Sequence, residues 1–185
     1  MNQILHIKNM VCNRCKMTII NLLDDEGYEL ESIQLGKIVV KEQSSNDYAR
    51  LETQLNALGF EVIKDSTKAL VEKIKINLIQ HIEKNDTDEI LGKLENEIGK
   101  SYSTLSKTFS KSEGITLEKY FINLKVEKVK EYIQLQELNF SEIAYSLNYK
   151  NSSHLAKQFK QITGMSMSNY KNLYNHKRKG LDKIV

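Results

Sequence analysis

The sequence contains no proline and no tryptophan, two cysteines, four histidines, and no apolar run approaching the roughly 18 residues that a membrane-spanning helix needs. Without proline the usual helix-stop signal is missing, so helix ends must be read from glycines and capping side chains, and boundaries are soft by a few residues. The histidines, His6, His81, His154 and His176, lie far apart in no recognisable catalytic pattern, so no enzyme is expected. MNQILHIKNM lacks a basic region followed by a long apolar stretch and does not read as a signal peptide, which makes a cytoplasmic address the expectation and a membrane partner unexpected. In that reducing setting Cys12 and Cys15, both in one C-x-x-C motif, point to metal or redox chemistry before a structural disulfide.

The 185 residues allow one domain or two small ones, and 40% hydrophobic with 28% charged residues is the make-up of an ordinary globular chain. The net charge of +3 conceals a polarity along the chain. Residues 1–66 carry 7 Lys/Arg against 10 Asp/Glu, residues 67–99 carry 5 against 7, and residues 100–185 carry 15 against 7. The basic charge therefore lies in the C-terminal half, where a polyanion would bind.

Residues 1–66 read as strand, helix, hairpin, helix, strand. LHIK alternates, with Leu5 and Ile7 on one face. Cys15, Ile19, Leu22 and Leu23 fall at helical spacing, with Gly27 as C-cap. SIQL and IVVK flank Gly36-Lys37 as a hairpin. Tyr48, Leu51, Leu55 and Leu58 make a second helical stripe closed by Gly59, and FEVI is the last strand. This βαββαβ order is that of the ferredoxin-like fold. From about Ser66 the pattern is helical throughout: Leu70, Ile74 and Leu78 make one stripe, and Asp86 and Asp88 are N-cap candidates for the next helix. The expected class is α+β, with a ferredoxin-like domain over 1–66 and an all-α domain over 67–185.

The all-α half repeats itself. STLSKTFSKSEGITLEKY, residues 103–120, aligns without gaps to SHLAKQFKQITGMSMSNY, residues 153–170, and Leu105/Leu155, Phe109/Phe159, Gly114/Gly164 and Tyr120/Tyr170 recur at an offset of 50. Each copy follows a short helix and a turn, which together make a helix-turn-helix. With Leu and Phe facing the core, Ser103, Thr104, Ser106 and Lys107 in the first copy project outward, as do Ser152, Ser153, His154, Lys157 and Gln158, beside Asn151, in the second. Such residues also suit a solvated helix face, but the repeat and the charge split favour base contacts to double-stranded DNA. Lys111, Lys150 and Lys160 suit phosphate contacts. LEKYFINLKVEKVKEYIQLQ between the copies can form a helix about 30 Å long, near the roughly 34 Å between successive major-groove faces.

EIAYSLNYKNSSHLAKQFKQITGMSMSNYK resembles the second helix-turn-helix signature of the AraC/XylS transcription regulators, I-A-x-x-x-G-F-x-x-x-S-x-F-x-x-x-F-K-x-x-x-G-x-x-P-x-x-Y-R, and the resemblance extends over roughly residues 68–175. Ile143, Ala144, Ser153, Phe159, Lys160, Gly164 and Tyr170 match it. Asn148-Tyr149 stand where the family has Gly-Phe, Leu155 where it has Phe, Met167 where it has Pro, and Lys171 where it has Arg. In the connecting helix Lys125 stands for the usual Arg, and in the first unit Glu95 stands for a small residue. The resemblance implies a DNA-binding transcription regulator, with RNA polymerase as a second partner. Activation or repression, operator and oligomeric state are not implied.

NMVCNRCKM places Cys12 in the loop after the first strand and Cys15 at the opening of the first helix, where the helix dipole and free N–H groups stabilise thiolate, helped by Arg14 and Lys16. Two thiols without nearby hard ligands suit a soft ion such as Cu(I), whereas zinc would want about four ligands. The segment resembles the heavy-metal-associated domain of copper chaperones and metal-transporting ATPases, with its G-M-x-C-x-x-C loop and terminal L-G-Y/F-x-V, here LGFEV. Asn9 replaces the usual Gly, Met10 would pack inward, and Phe60 would lie near the loop. Metal binding, a redox dithiol and an inert pair remain open from the motif alone. A DNA-binding regulator modulated at Cys12 and Cys15 is the first reading, and a metal carrier whose helical half docks an acidic partner protein is the second.

Overall fold

A computed structural model describes residues 2–42, 47–84 and 89–175. The elements run β1 (Asn2–Lys8), α1 (Asn13–Asp25), β2 (Leu30–Gln34), β3 (Lys37–Lys41), α2 (Tyr48–Ala57) and β4 (Glu61–Ile63). Helices α3 (Ser66–Glu83), α4 (Ile90–Ile98), α5 (Tyr102–Glu113), α6 (Leu117–Leu135), α7 (Phe140–Ser146), α8 (Ser152–Thr163) and α9 (Met167–Asn175) follow. None of the helices is long and apolar enough to cross a membrane among the described residues.

The chain divides into two compact units. One contains the described residues up to Ile79 together with Leu94–Gly114, and the other those of Gln80–Lys93 together with the residues from Ile115 on. The division falls inside α3 and α4, whereas the domain boundary expected from sequence, at 66/67, falls at the start of α3.

In the first unit the four strands form one antiparallel sheet in the order β2-β3-β1-β4. Alternation along β1 buries Leu5 and Ile7, which join Ile19, Leu22 and Leu23 of α1, Leu51 and Leu55 of α2, and Ile38 and Val40 of β3 in one core. The expected stripe on α2 ends one residue early: Leu58 caps the helix and is 49% exposed, and Phe60 is buried instead. The hairpin turns on Leu35-Gly36, with Lys37 already in β3. Gly36 has a φ of 73°, and a Cβ there would stand 2.5 Å from Ile76 Cδ1, so both its backbone conformation and the approach of α3 require glycine. The buried stripe of α3 is Val71, Ile74, Leu78 and Ile82, with Leu70 half-buried beside it. Asp86 and Asp88, the expected N-caps, lie outside the described residues.

In the second unit α6 supplies Val126, Val129 and Ile133 to a core completed by Ile143, Ala144 and Leu147 of the α7 region, Tyr149 of the following turn, Leu155 and Phe159 of α8, and Met167. Asn139 caps α7 in a capping box, accepting from the Ser141 and Glu142 N–H groups while the Glu142 carboxylate accepts from the Asn139 N–H at 2.7 Å. Such a closed start lets a helix of only seven residues hold its place.

Lys125 is buried in this core with no carboxylate within ion-pair distance among the described residues; its Nζ lies 4.0 Å from the Tyr149 ring centroid and 5.5 Å from that of Phe121. Burial pushes its pKa down from 10.5 to about 8. Below about pH 8 the folded chain buries a charge that the unfolded chain solvates; from there to 10.5 the folded chain sheds the proton first, so stability rises with pH. The ring faces favour the cation and reduce this rise. In urea unfolding, the stability of Lys125→Met relative to wild type should therefore fall steadily as pH is raised from about 7 to about 10. A pH-independent difference would show that Lys125 titrates as it does in water.

Candidate functional site

The two repeat copies are helices of the same length. Both α5 and α8 have 12 residues, offset by 50, and the match continues through their ends. Ser101 and Asn151 are the N-caps, accepting from Thr104 N at 3.4 Å and His154 N at 2.8 Å. Leu105, Phe109, Leu155 and Phe159 are fully buried. Gly114 and Gly164 close the helices with φ of 71° and 78°. Thr116 and Ser166 then cap the next helices by accepting from Lys119 N and Asn169 N, each at 3.1 Å. Upstream the copies differ. The connection before the first copy, 99–101, has three residues, and the one before the second, 147–151, has five.

With Leu and Phe inward, Ser103, Thr104, Lys107 and Lys111 are exposed on α5 and Ser106 is half-buried. On α8 Ser153, His154, Lys157 and Lys160 are exposed, with Lys150 and Asn151 exposed just ahead of them. Among the described residues no carboxylate lies within ion-pair distance of Lys107, Lys111, Lys150, Lys157 or Lys160, in contrast to Lys75, Lys128 and Lys130, which pair with Glu113, with Glu83 and Glu131, and with Glu127. Three expected base readers have internal partners. Asn151 Oδ1 holds the His154 N–H, Thr104 Oγ1 lies 2.9 Å from Ser101 Oγ, and half-buried Gln158 accepts from the Tyr149 hydroxyl at 2.7 Å. Burial raises the Tyr149 pKa to about 12, which keeps the hydroxyl a donor.

The thiol pair occupies the first unit. Cys12 is the N-cap of α1, its Sγ accepting from Cys15 N at 3.5 Å and lying 3.1 Å from Cys15 Sγ. The Cys15 N–H, then the Cys15 thiol, lower the Cys12 pKa below 9.0. Cys15, half-buried, points its Sγ at Asn9 O, 3.8 Å away. Asn9 sits at φ 70°, a conformation its short polar side chain tolerates, and its Nδ2 donates to Gly59 O at 2.9 Å. Met10 is fully buried in the core that also contains Phe60. Among the described residues no cluster of three or more His, Cys, Asp or Glu could hold a metal; the two thiols together are a donor set that fits a soft ion in low coordination.

A family description, "Helix-turn-helix domain", matches residues 94–172, a span that contains both copies. Residues 94–172 thus match a helix-turn-helix domain. A stretch of 67 residues is 30% identical to the uncharacterized HTH-type transcriptional regulator YtdP of Bacillus subtilis, covering 36% of this chain and only 9% of that protein. In fold, the chain is similar to the C-terminal domain of AraT, a response regulator from Geobacillus stearothermophilus, with a TM-score of 0.52 and 20% identity over 63% of this chain and 90% of that one. It is also similar to the DNA-binding domain of AdpA, solved in complex with a target DNA, with a TM-score of 0.50 and 16% identity over 57% and 95%.

The departures of the helix-turn-helix domain from the family signature have local explanations. Asn148 takes the left-handed conformation, φ 52°, at the turn position of the usual Gly. Met167 opens α9, where the missing N–H of a proline is tolerated, and is buried instead. Glu95 reaches across the first turn and accepts from the Tyr102 N–H, placing a carboxylate at the positive end of α5. Tyr145 on α7, between the inward Ala144 and Leu147, is 88% exposed.

Alkylation by iodoacetamide, followed by mass spectrometry, should label Cys12 with a pH midpoint below the roughly 8.5 of a free thiol, and should shift upward when Cys15 is replaced by Ser. An ordinary midpoint for Cys12 would mean that the helix start gives it no thiolate stabilisation.

Proposed function

We propose that this chain is a sequence-specific DNA-binding transcription regulator of the AraC type, reading double-stranded DNA with α5 and α8 and modulated by a soft metal ion, Cu(I), or by the thiol state at Cys12 and Cys15. On this reading residues 1–66 form a ferredoxin-like, heavy-metal-associated domain, residues 67–185 form the DNA-binding domain, and RNA polymerase is a further partner. The observation that carries the DNA reading is the pair of recognition helices: equal length, a side-chain oxygen at each N-cap, a left-handed glycine at each C-cap, and outward faces whose lysines lack carboxylate partners among the described residues. Ser103, Lys107, Ser153, His154 and Lys157 are the base-facing candidates, and Lys111, Lys150 and Lys160 the phosphate contacts.

Two bonds within the first unit support a link from the thiol loop to α5. Asn9 N–H donates to the buried Glu72 carboxylate of α3 at 2.9 Å, and one turn further Lys75 pairs with Glu113, the last residue of α5, at 2.7 Å. A metal at the loop can alter DNA binding only by binding the DNA-competent and incompetent states differently.

Selection of genomic fragments with the purified chain, with and without Cu(I) under reducing conditions, tests both parts. Replacing Lys111, Lys150 or Lys160 by Ala should weaken all sequences alike and lower the salt slope by about 0.9 for each phosphate no longer neutralised. Lys157→Ala or Ser153→Ala should instead relax preference at particular base pairs by about 1–3 kcal/mol each. Cu(I) should change operator affinity by about 5 to 150 fold in wild type and not in Cys12→Ser. Unchanged salt slopes would remove the lysines from the interface, and equal DNA affinity with and without bound Cu(I) would end the sensing proposal.

A further inference from the structure

The first unit contains a cavity of about 420 Å³ that the DNA and thiol readings leave unused. Its walls come from β1, the β2–β3 turn, β4, α3 and the segment Ile98 to Lys100. The size lies within the roughly 300–1,000 Å³ of small-molecule sites. Its floor is apolar: Ile63 and Ile76 are buried and Leu70 half-buried. The close approach of Gly36 to Ile76 fixes that floor against the hairpin turn.

The rim is cationic. Lys37 is half-buried, Lys73 and Lys100 are exposed, and none has a carboxylate within ion-pair distance among the described residues. Among the described residues one acidic side chain lines the cavity, Glu72, and its carboxylate accepts from the Asn9 N–H. His6 adds a group that can donate a hydrogen bond to an anion. An apolar floor under three ammonium groups with no carboxylate partner among the described residues matches a ligand with an apolar body and an anionic head, since the floor removes apolar surface from water while the rim supplies the countercharge.

We propose that this cavity is a binding site for a small amphipathic anion, a carboxylate or sulfonate carried on an apolar body. Lys100 lies directly before Ser101, the N-cap of α5, so the occupant rests against the segment from which the first recognition helix starts. Binding itself does not depend on the regulator reading.

The test uses the full chain and the fluorescent sulfonate 1-anilinonaphthalene-8-sulfonate as probe, titrated by fluorescence and by calorimetry. Saturable binding of one probe per chain is expected, weakened by salt because the rim charges are exposed. Ala69→Phe, which places a ring into the cavity from α3, should abolish it. The pair Lys37→Ala and Lys100→Ala should weaken it at least about tenfold, while Lys16→Ala, on α1 and outside the cavity, should leave it unchanged. Circular dichroism and thermal unfolding show whether Ala69→Phe folds; if it does not, the paired lysine variant carries the decision. No saturable binding up to millimolar probe, or binding undiminished in the variants that fold, would overturn the proposal.

Discussion

Two pairs of residues, Leu105 with Phe109 and Leu155 with Phe159, fix what the rest of the helix-turn-helix domain can do. Each pair is spaced by four, so both members lie on one face of the helix, and each side chain is fully buried. Burying a Leu and a Phe is worth about 1.5–3 kcal/mol apiece, which holds each 12-residue helix in one rotational setting. The outward face is then determined by what remains. Ser103 and Lys107, or Ser153 and Lys157, face outward because the neighbouring positions face inward.

The caps work in the same direction. Ser101, Asn151 and the Glu95 carboxylate satisfy N–H groups at the helix starts, and the left-handed glycines Gly114 and Gly164 close the ends. On the second helix a further layer acts from beneath: the Lys125 ammonium lies on the Tyr149 ring, and the Tyr149 hydroxyl holds Gln158. The Phe159 ring meets Tyr170 edge to face at 5.5 Å, and the Tyr170 hydroxyl accepts from Gln134 at 3.1 Å. A helix whose buried side is so fully engaged presents its exposed side chains with little freedom of rotation.

Periodicity and caps were legible in the sequence because they are local. The inward Leu and Phe of each copy, and the glycines Gly27 and Gly59 just past α1 and α2, follow from spacing within a few residues, whereas the burial of Met10 was implied by the resemblance of its loop to the heavy-metal-associated domain. Contacts between distant segments were not legible. The bond from Asn9 to Glu72 spans 63 residues, and nothing near either residue announces it. Gln158 read as an outward polar residue because its partner, Tyr149, lies in a turn whose conformation depends on the left-handed Asn148. Leu58 read as core because it continues the α2 stripe, but the helix has ended there and the chain turns away at Gly59. The cavity beneath Lys37, Lys73 and Lys100 joins segments separated by more than 60 residues, so no motif could mark it.

On the proposed reading both copies of the repeat read DNA. Hydroxyl-radical footprinting of the full chain on a fragment it selects tests this most directly. Two protected patches about 10 base pairs apart are expected, with one of them abolished when Ser103 and Lys107 of α5 are replaced by Glu and the other abolished when Ser153 and Lys157 of α8 are. A single patch, indifferent to the residues of α5, would make the first copy a structural repeat without a reading role.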